Sequence, residues 1–410
     1  MELIKMQHIY IIGSKGIPAR YGGYETFVEK LTAGQQSSDI KYHVASRRDN
    51  TELSKNNDVF EYNGAEIFSI DVPNIGPAQA IAYDIKALKW SIQNAKEIKA
   101  EAPIFYILAA RVGPFIGKYV KQIHALNGTY YINPDGHEWK RAKWPLPVRK
   151  YWKISERGMI KHADLVVCDN RKIEEYIQSD YGVYQPNTTF IAYGTDTTPS
   201  SLNKNDSTVE NWFREKNIQE NNYYLIVGRF VPENNYETMI HEFMKSDSQR
   251  DLVIVTNVEK NKFYQKLLQT TAFNQDERIK FVGTVYDQPL LRYIRENAFA
   301  YIHGHEVGGT NPSLLESLSS TQLNLLVDVG FNRDVAHDAA IYWTKEDGQL
   351  SNGINMADQY SVKQLTENDE KAKKIIFNEY TWEKIINLYE RQFLNNGISP
   401  FGEFESATKN

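Results

Sequence analysis

The sequence predicts an α/β fold made of two domains, each built around a doubly wound parallel sheet. Short apolar runs recur along the 410 residues and end at glycine or polar side chains, as strands buried on both faces of a parallel sheet do. Stretches with helical spacing separate many of these runs, and this alternation indicates parallel sheets. The polar stretch 195–208 interrupts the pattern, which then starts again. We therefore expect a first domain over residues 1–195 and a second over 196–379.

The first domain opens with one complete strand-loop-helix unit. The apolar run HIYIIG (8–13) predicts a buried strand, and the loop SKGIPARYGG follows it. Phe27, Val28 and Leu31 then have the spacing of a helix packed on a sheet. Further strands are predicted at 40–46, 65–70, 103–110, 129–133, 163–170 and 188–194.

The second domain repeats the pattern and is followed by a closing helix. Its strands are predicted at 223–230, 251–257, 278–283, 298–304 and 324–329. Near the C-terminus, apolar side chains recur at helical spacing, namely Trp382, Ile385, Ile386, Tyr389 and Phe393. We expect residues 380–410 to form an amphipathic closing helix, which crosses back to the first domain, and a tail.

The composition excludes several classes of protein. Hydrophobic residues make up 41% and charged residues 24% of the chain, which is typical of a globular protein. The net charge of −5 gives no global attraction to nucleic acid, and the single Cys168 excludes an internal disulfide and a cysteine metal cluster. We find no secretion signal and no window near the ~18–20 apolar residues of a membrane span. We expect a cytoplasmic protein that meets a membrane, if at all, from the side.

The segment VGRFVPENN (227–235) places an arginine at the carboxyl end of a predicted strand. Open α/β sheets bind ligands at these strand ends. Gly228 precedes Arg229, whose guanidinium is a planar fork of donors suited to phosphate oxygens. The segment indicates a diphosphate site with Gly228, Arg229 and Asn234 as candidate donor ligands, and the alternative is an ordinary surface arginine.

The segment HEVGGTNPSLLES (305–317) combines a glycine pair with a helix start. Glycines allow backbone to approach a ligand, Asn or Thr can cap a helix, and proline is tolerated at its first position. The exposed amides and the helix dipole favour an anion. Glu316 lies about one turn further on, where its carboxylate can accept hydrogen bonds from a sugar hydroxyl. The alternative is a capped surface helix with a solvated glutamate. The candidate anion ligands are Gly308, Gly309, Thr310, Asn311 and Ser313.

Together the two segments resemble the retaining glycosyltransferases of family 4, which have the GT-B architecture of two Rossmann-like domains facing a cleft. The resemblance implies that the N-terminal domain binds the acceptor and the C-terminal domain the nucleotide sugar, with Arg229 on the donor diphosphate and Glu316 on the ribose. Two positions depart from the family pattern. Asn234 stands where the family has a lysine, and Gly308 where it has the first glutamate of its Glu-x7-Glu motif. Glu306 is a candidate substitute for that glutamate.

A longer set of segments resembles the bacterial β-1,4-rhamnosyltransferases of capsule and cell-wall polysaccharide assembly. This resemblance implies transfer of L-rhamnose from dTDP-L-rhamnose to a saccharide carried on undecaprenyl diphosphate, without a further cofactor. The segments are SKGIPARYGGYETFVEKL, NPDGHEWKRAKWP, VGRFVPENNYE, HGHEVGGTNPSLLE and VGFNRDVA.

Two loops of the first domain are further candidates. Gly22 and Gly23 at a helix start let main-chain amides approach the donor phosphate or the acceptor. Asp135, His137 and Glu138 follow the predicted strand TYYIN, where they can orient or deprotonate an acceptor hydroxyl. The alternatives are a glycine-rich turn without a ligand and carboxylates that only cap a loop.

A basic and aromatic stretch follows at 139–153 and contains no acidic residue. Basic side chains are attracted to anionic headgroups, and indole rings prefer the membrane interface. We interpret the stretch as a loop for peripheral attachment to the inner face of the cell membrane. A nucleic-acid patch has a similar composition, but no recognition module accompanies it; a solvated loop is the other alternative. The residues proposed for acceptor or membrane contact are His137, Trp139, Lys140, Arg141, Lys143 and Trp144.

The chemistry expected is a front-face substitution in which the leaving diphosphate takes the acceptor's proton. Arg229 and the amides at 309–313 stabilise the charge that develops on the diphosphate. Asp135, Glu138 and Glu306 are the other candidate catalytic groups, and no metal is implied because no ligand cluster with metal spacing is found. Two alternatives are a GT-B-like nucleotide-sugar epimerase and a nonenzymatic carbohydrate-binding protein.

Overall fold

The computed structural model divides the chain into two compact units. The first contains the chain up to Gly194 together with the residues from Trp382 onward, and the second is Thr195–Thr381. The residues that the structure describes are 6–20, 22–140, 144–258, 261–307 and 309–395.

The first unit contains an eight-stranded sheet in the order β3-β4-β2-β1-β5-β6-β7-β8. All neighbouring strands are parallel except β3, which is antiparallel to β4. Strands β2 to β4 lie on one side of β1, and strands β5 to β8 lie on its other side. The direction of winding therefore changes between β1 and β5, which makes this position the switch point of the sheet. The strands are β1 (Gln7–Ile12), β2 (Ile40–Arg47), β3 (Val59–Tyr62), β4 (Ala65–Ile70), β5 (Ile104–Leu108), β6 (Thr129–Asn133), β7 (Leu165–Cys168) and β8 (Thr188–Phe190).

Apolar content accounts for these strands. Every residue of β5, for example, is buried, because helices cover both faces of the sheet. Strand β3 was not predicted, since it is an edge strand of four residues in which no residue is buried. The helices are α1 (Gly23–Ala33), α2 (Glu52–Asn56), α3 (Gln79–Glu97), α4 (Gly113–His124), α5 (Leu146–Lys161) and α6 (Arg171–Asp180).

The second unit contains a six-stranded, fully parallel sheet in the order β11-β10-β9-β12-β13-β14. The strands are β9 (Tyr223–Val227), β10 (Asp251–Val255), β11 (Ile279–Gly283), β12 (Ala300–His303), β13 (Asn324–Val327) and β14 (Ile341–Trp343). The helices are α7 (Ser207–Lys216), α8 (Tyr236–Lys245), α9 (Lys262–Thr271), α10 (Gln288–Glu296), α11 (Pro312–Leu318), α12 (Gly330–Ala336), α13 (Gln349–Asp358) and α14 (Val362–Glu379). Strand β14, only three residues long, was not predicted.

Alternate residues of the central strand β9 belong to two different cores. Tyr224 and Ile226 pack in one apolar cluster, and Tyr223 and Leu225 in the other. Successive side chains of a strand point to opposite faces of the sheet, so the two clusters lie on its two sides. This explains why the strand is apolar throughout.

The last helix, α15 (Trp382–Leu394), packs on the first unit. The hydroxyl of Tyr389 lies 3.1 Å from that of Tyr106 on β5. The carboxylate of Glu390 accepts hydrogen bonds of 2.8 Å from the backbone N–H groups of Gln36 and the next residue, just beyond α1. The predicted return of the closing helix to the first domain is confirmed.

Candidate functional site

Two of the predicted segments meet at one edge of the second sheet. Relative to the chain, its strands run in the order 3-2-1-4-5-6, so the direction of winding changes between β9 and β12. Ligands of open α/β sheets bind at such a switch point, outside the carboxyl ends of the strands. Residues 228–235 follow β9 and residues 304–311 follow β12. The topology therefore brings the two segments together.

Side chains of one loop hold the other. The amide of Asn235 donates to the carbonyl of Gly304 at 2.8 Å. Asn234 donates to the carbonyl of Arg229 at 2.7 Å, and its Oδ1 lies 2.8 Å from His305 Nδ1. Both ends of the Asn234 amide are thus engaged within the protein, so this residue shapes the two loops. A Cβ on Gly304 would lie 2.4 Å from the Asn234 carbonyl oxygen, which requires glycine there.

Arg229 is an exposed cation at this edge. Its backbone carbonyl is held by Asn234, whereas its guanidinium makes no hydrogen bond or ion pair to any part of the chain that the structure describes. Gly228 before it is half-buried, and its carbonyl accepts from the hydroxyl of Tyr236 at 3.0 Å. The backbone is therefore fixed while the donor fork remains open to a ligand.

Helix α11 begins as the sequence predicted. Asn311 is its N-cap, with its side chain accepting from the backbone N–H of Ser313 at 2.9 Å, and proline occupies the first turn. Thr310 is buried and Gly309 half-buried. Gly308, also predicted to bind the donor, lies outside the described residues.

The hydroxyl of the half-buried Ser313 joins three elements of the second unit. It donates to the carbonyl of Val227 at the end of β9 at 3.1 Å. It also lies 3.1 Å from the hydroxyl of Tyr301 on β12 and accepts from Arg295 Nη2 at 3.0 Å. The Ser313 side chain, predicted to bind the donor, is thus used to join α11 to the sheet.

Glu316 and Arg295 form an ion pair that sequence reasoning missed. Arg295 Nη2 donates to Glu316 Oε2 at 2.6 Å. The arginine side chain is 2% exposed and the glutamate side chain 42% exposed. The sequence did place Arg295 directly after Ile294 in a helix with a strongly apolar face. An arginine next to such a face is nevertheless ordinarily expected to reach solvent, so its burial was not predicted.

Burial lowers the pKa of His303 well below its usual value, with His305 and Arg295 adding to the effect.

Glu306 has a partner in a neighbouring loop. Lys345, just after β14, donates to Glu306 Oε2 at 2.8 Å. The glutamate side chain is 25% exposed and that of the lysine 51%. Glu306 can substitute for the first glutamate of the Glu-x7-Glu motif only if its ion pair with Lys345 opens, or if the two side chains contact the ligand together.

In the first unit, carboxylates of α1 hold the glycine loop after β1. Glu25 accepts from the backbone N–H of Lys15 at 2.7 Å, and Glu29 from that of Ala19 at 3.2 Å. Gly22 has φ 137°, and a Cβ there would lie 1.8 Å from a carboxylate oxygen of Glu25. Gly23 begins α1 and has open space around it. The loop conformation accounts for Gly22 without a ligand.

A second pair that the sequence did not reveal lies at the switch point of the first sheet. Arg111, after β5, donates to the carbonyl of Gly13 at 2.8 Å and to the Asp84 carboxylate at 3.1 Å. Asp84 is 1% exposed and Arg111 20% exposed. Burial raises the pKa of Asp84 to about 6, and Arg111 acts in the opposite direction.

The loop after β6 presents the predicted acceptor residues in different settings. Asp135 adopts φ 60° and is half-buried, with its N–H donating to Asn133 Oδ1 at 2.9 Å. His137 is buried, with its ring 4.1 Å from that of Tyr176. Burial lowers the pKa of His137 to about 4, assisted by the nearby lysines, so the ring is neutral at pH 7. Glu138 is buried and accepts from Trp144 Nε1 at 2.8 Å.

The basic stretch 139–153 is not entirely a loop, which corrects our interpretation. Residues from 146 onward form the first half of α5. Trp139 Nε1 donates to the hydroxyl of Tyr176 at 3.2 Å, so this indole is tied to the protein, while Lys140 is exposed beside its ring. Arg141 and Lys143 lie outside the described residues.

Comparisons with known proteins agree with this architecture. Residues 208–382 match the family described as Glycosyl transferases group 1. The matched residues lie almost entirely in the second unit, which is therefore similar to this family. Residues 6–196 match a domain of unknown function, DUF1972. No curated protein sequence matches the chain.

Solved structures resemble the chain over nearly its whole length. Sucrose-phosphate synthase from Thermosynechococcus elongatus has a TM-score of 0.71 at 17% identity, over 95% of this chain and 100% of that one. HepE of Anabaena in complex with UDP has a TM-score of 0.69 at 14% identity, with the same coverage. A glycosyltransferase from Rickettsia africae has 0.70 at 13% identity, over 95% and 99%. The predicted fold class is confirmed: the chain has the GT-B fold.

Proposed function

We propose that the chain is a retaining glycosyltransferase that uses a nucleotide sugar as donor. The observation that carries the proposal is that the switch point of the second sheet presents two groups at once. One is the open guanidinium of Arg229, and the other is the exposed carboxylate of Glu316. A diphosphate and a nucleoside sugar present the complementary groups, phosphate oxygens and hydroxyl donors. HepE, which shares the fold, has been solved with UDP and with UDP-glucose, which supports this class of donor.

The reaction places its main electrostatic demand on the leaving group. The bond between the anomeric carbon and the phosphate oxygen breaks, the acceptor oxygen bonds to that carbon, and the acceptor's proton passes to the diphosphate. Negative charge grows on the diphosphate as its bond breaks. Arg229 stabilises this charge through two parallel hydrogen bonds, and because its backbone is already fixed little reorganisation is needed. Asn234, in place of the family's lysine, contributes no charge, so the demand on Arg229 increases.

For the specific substrates we propose dTDP-L-rhamnose as donor and a saccharide on undecaprenyl diphosphate as acceptor, in capsule or cell-wall polysaccharide synthesis. The support is the resemblance of the sequence segments to bacterial rhamnosyltransferases. The reaction needs no cofactor beyond the donor itself. In this proposal Asp135 and Glu138 serve the acceptor side.

A lipid-linked acceptor requires access to a membrane surface, and we propose that α5 provides it. No helix among the described residues is long and apolar enough to span a bilayer. Apart from Pro147, the exposed residues of α5 are aliphatic or basic and fall on one face at spacings of three and four, with Leu146 69% and Ile154 62% exposed. They are Leu146, Lys150, Ile154, Arg157 and Lys161. The one acidic residue of α5, Glu156, is buried and accepts a hydrogen bond of 2.5 Å from the Tyr176 hydroxyl.

Helix α4 widens this face. It packs closely on α5, since a Cβ on Gly113 would lie 1.9 Å from the carbonyl oxygen of Ser155. Its exposed residues include Phe115, Lys118 and Lys121, and its sequence contains no acidic residue. Each basic residue near an anionic surface contributes about 1 kcal/mol of attraction, which supports peripheral attachment of a chain whose net charge is negative.

Turnover with a lipid acceptor tests the enzymatic proposal. Purified protein is incubated with dTDP-L-rhamnose, UDP-glucose or other nucleotide sugars, with and without lipid-linked saccharides, and products are identified by mass spectrometry. We expect a glycosylated lipid and free nucleoside diphosphate. Arg229→Ala is expected to lower kcat by roughly 10²–10³-fold, the loss seen when one donor to a developing anion is removed.

The exposed Arg214 of α7 is the matched control, and Arg214→Ala is expected to keep full activity. Conversion of the nucleotide sugar without acceptor would indicate an epimerase instead. Binding of saccharide without any turnover across the donors would indicate a carbohydrate-binding protein. Either result contradicts the transferase proposal.

Sedimentation with vesicles tests the membrane proposal. Vesicles with an anionic lipid are expected to bind the wild type, and Lys150→Glu with Lys161→Glu to weaken binding roughly tenfold or more, given the attraction per basic residue. The control reverses two exposed lysines on α14, Lys363→Glu with Lys374→Glu, at equal change of net charge. Equal loss in both double variants would assign the effect to net charge and contradict a docking face on α5.

A further inference from the structure

We propose that Arg295 is a positioning residue that orients the Glu316 carboxylate toward the nucleoside hydroxyls of the donor. The inference rests on the proposed function, because it assumes a nucleotide at the switch point of the second sheet. Arg295 reaches Glu316 Oε2 at 2.6 Å and Ser313 Oγ at 3.0 Å through the same nitrogen, Nη2. One guanidinium therefore fixes two side chains of α11 that lie almost one turn apart.

Arg295 acts from beneath the surface. It is 2% exposed, packed with Leu290 and Ile294 on the buried side of α10, and its guanidinium carbon lies 5.6 Å from the centre of the Tyr301 ring. Its Nη1 is buried and makes no hydrogen bond within the described part of the chain. A buried cation is costly unless it is paired, and here Glu316 supplies the pairing charge. At this depth Arg295 itself has little surface to offer a ligand.

The pairing leaves one carboxylate oxygen for a ligand. Arg295 occupies Oε2 of Glu316, while Oε1 has no hydrogen bond to the described residues, and the side chain is 42% exposed. An ionised carboxylate oxygen has two lone pairs and accepts from two donors. Neighbouring hydroxyls on a nucleoside sugar present such a pair of donors. The arginine thereby selects which oxygen faces the ligand.

The same contacts tie the carboxylate to the diphosphate side of the site. Ser313, held by Arg295, donates to the carbonyl of Val227, the last residue of β9. Two residues later the chain reaches Arg229, the proposed diphosphate ligand. A chain of hydrogen bonds thus sets the spacing between the group that binds phosphate and the group that binds the sugar of the nucleoside.

A purely structural arginine would stabilise the fold without favouring one ligand over another. The test therefore compares two probes by calorimetry on the full chain. Nucleoside diphosphates, UDP and dTDP, contact both ends of the site, whereas inorganic pyrophosphate contacts the diphosphate end alone. The ratio of the two affinities isolates the nucleoside contribution.

We expect Arg295→Met, which keeps the length and removes the charge, to weaken the tighter of the two nucleotides by roughly 10–100-fold, the value of a hydrogen bond to a charged group. Pyrophosphate affinity is expected to stay within about twofold, since its contacts are on the other side of the site. Arg229→Ala is expected to weaken both probes. Arg295→Lys, which restores a charge but not the fork, is expected to recover part of the nucleotide affinity.

A double-mutant cycle tests whether Arg295 acts through Glu316. In the Glu316→Gln background, Arg295→Met is expected to weaken nucleotide binding by less than about threefold, because the carboxylate it orients is gone. Losses that multiply would overturn the inference by showing an independent contact. Arg292→Met is the matched control on the same helix: Arg292 bonds Ser319 at 2.7 Å and Glu296 at 2.8 Å, so it is expected to lower stability and leave nucleotide affinity unchanged.

The two levels of proposal fail differently. A wild-type chain that binds neither UDP nor dTDP contradicts the proposed function. A wild type that binds one of them, with folded Arg295 variants that bind it equally well, overturns the role of Arg295 alone. Where Arg295→Met does not fold, Arg295→Lys and Ser313→Ala provide the same test. We expect these variants to bind the nucleotide more weakly than the wild type and pyrophosphate equally well. Nucleotide affinity equal to that of the wild type would contradict the inference.

Discussion

The two switch points of this molecule are built with opposite polarity. In the first unit the acid is buried, and Asp84 holds the more exposed Arg111 beside the end of β1. In the second unit the arginine is buried, and Arg295 holds the exposed Glu316 beside the end of β9. Within these two ion pairs, the member nearer the surface is a cation in the first unit and a carboxylate in the second. An ion pair with one buried and one exposed member fixes the direction of the exposed group.

The chemical difference between the buried members has a thermodynamic consequence. A buried carboxyl can take up a proton and become neutral, whereas an arginine stays charged in proteins. Removing the exposed partner should therefore have a pH-dependent cost in the first unit and a constant cost in the second. Stability measurements on single variants at two pH values test this difference between the two units.

The largest effect is expected for Glu316→Ala, which leaves the buried charge of Arg295 without its carboxylate. Breaking a buried pair from one side costs about 3–5 kcal/mol, and partial exposure of Glu316 places this case at the lower end. Denaturant unfolding should show the same loss at pH 5 and pH 8. A loss that shrinks at pH 5 would mean that Arg295 is not the charge left behind.

Arg111→Met is expected to cost about 3 kcal/mol at pH 8, where Asp84 would be buried as a lone carboxylate. At pH 5 the loss should fall below about 1 kcal/mol, because without Arg111 the already raised pKa of Asp84 rises further and the carboxyl is neutral. Unfolding at the two pH values measures this. Equal losses would remove the proposed difference between the two edges.

The smallest effect concerns two opposed titrations in the first unit. The raised pKa of Asp84 means that its contribution to stability falls as pH rises from about 4 to 6, since the folded state binds the extra proton. The lowered pKa of His137 acts oppositely: its contribution rises from about pH 4 to 6.5, because the unfolded state binds the proton. In the wild type the two trends largely offset each other.

Single substitutions should separate these titrations. His137→Phe is expected to leave a stability that decreases by about 1–2 kcal/mol from pH 4 to 6, and Asp84→Asn one that increases by a similar amount. Unfolding curves at half-unit pH steps provide the measurement. A wild type with a steep dependence in this range, unchanged in either variant, would assign the titration to other groups.

Much of the fold follows from local sequence. The strands of both sheets, α1 and the cap of α11 were predicted because apolar runs, helical spacing and capping residues act over a few neighbours. Strands β3 and β14 were missed, since edge strands of four and three residues are too short to show the alternation or apolar run that marks a strand. The boundary within 139–153 was misjudged because a basic stretch is equally compatible with a loop and with the exposed face of a helix.

The candidate site divides in the same way. Arg229 and Glu316 were proposed from motif and position, and the sheet order explains why the segments that contain them lie side by side. Arg111 and Arg295 were not identified, since their roles depend on partners 27 and 21 residues away in the chain and on which member of each pair is buried. Those are properties of packing that local composition does not contain.

By itself the sequence determined the α/β class, the two-domain division and the residue types available at the strand ends, because these depend on periodicity and composition. Only the folded chain fixed which charged and polar side chains stay open and which are used internally. Asn234 and the Ser313 hydroxyl turned out to join loops and strands, while Arg229 stayed open. The physical reason is that a polar side chain satisfies its hydrogen bonds with whatever the fold brings within about 3 Å, and only the folded chain determines those neighbours.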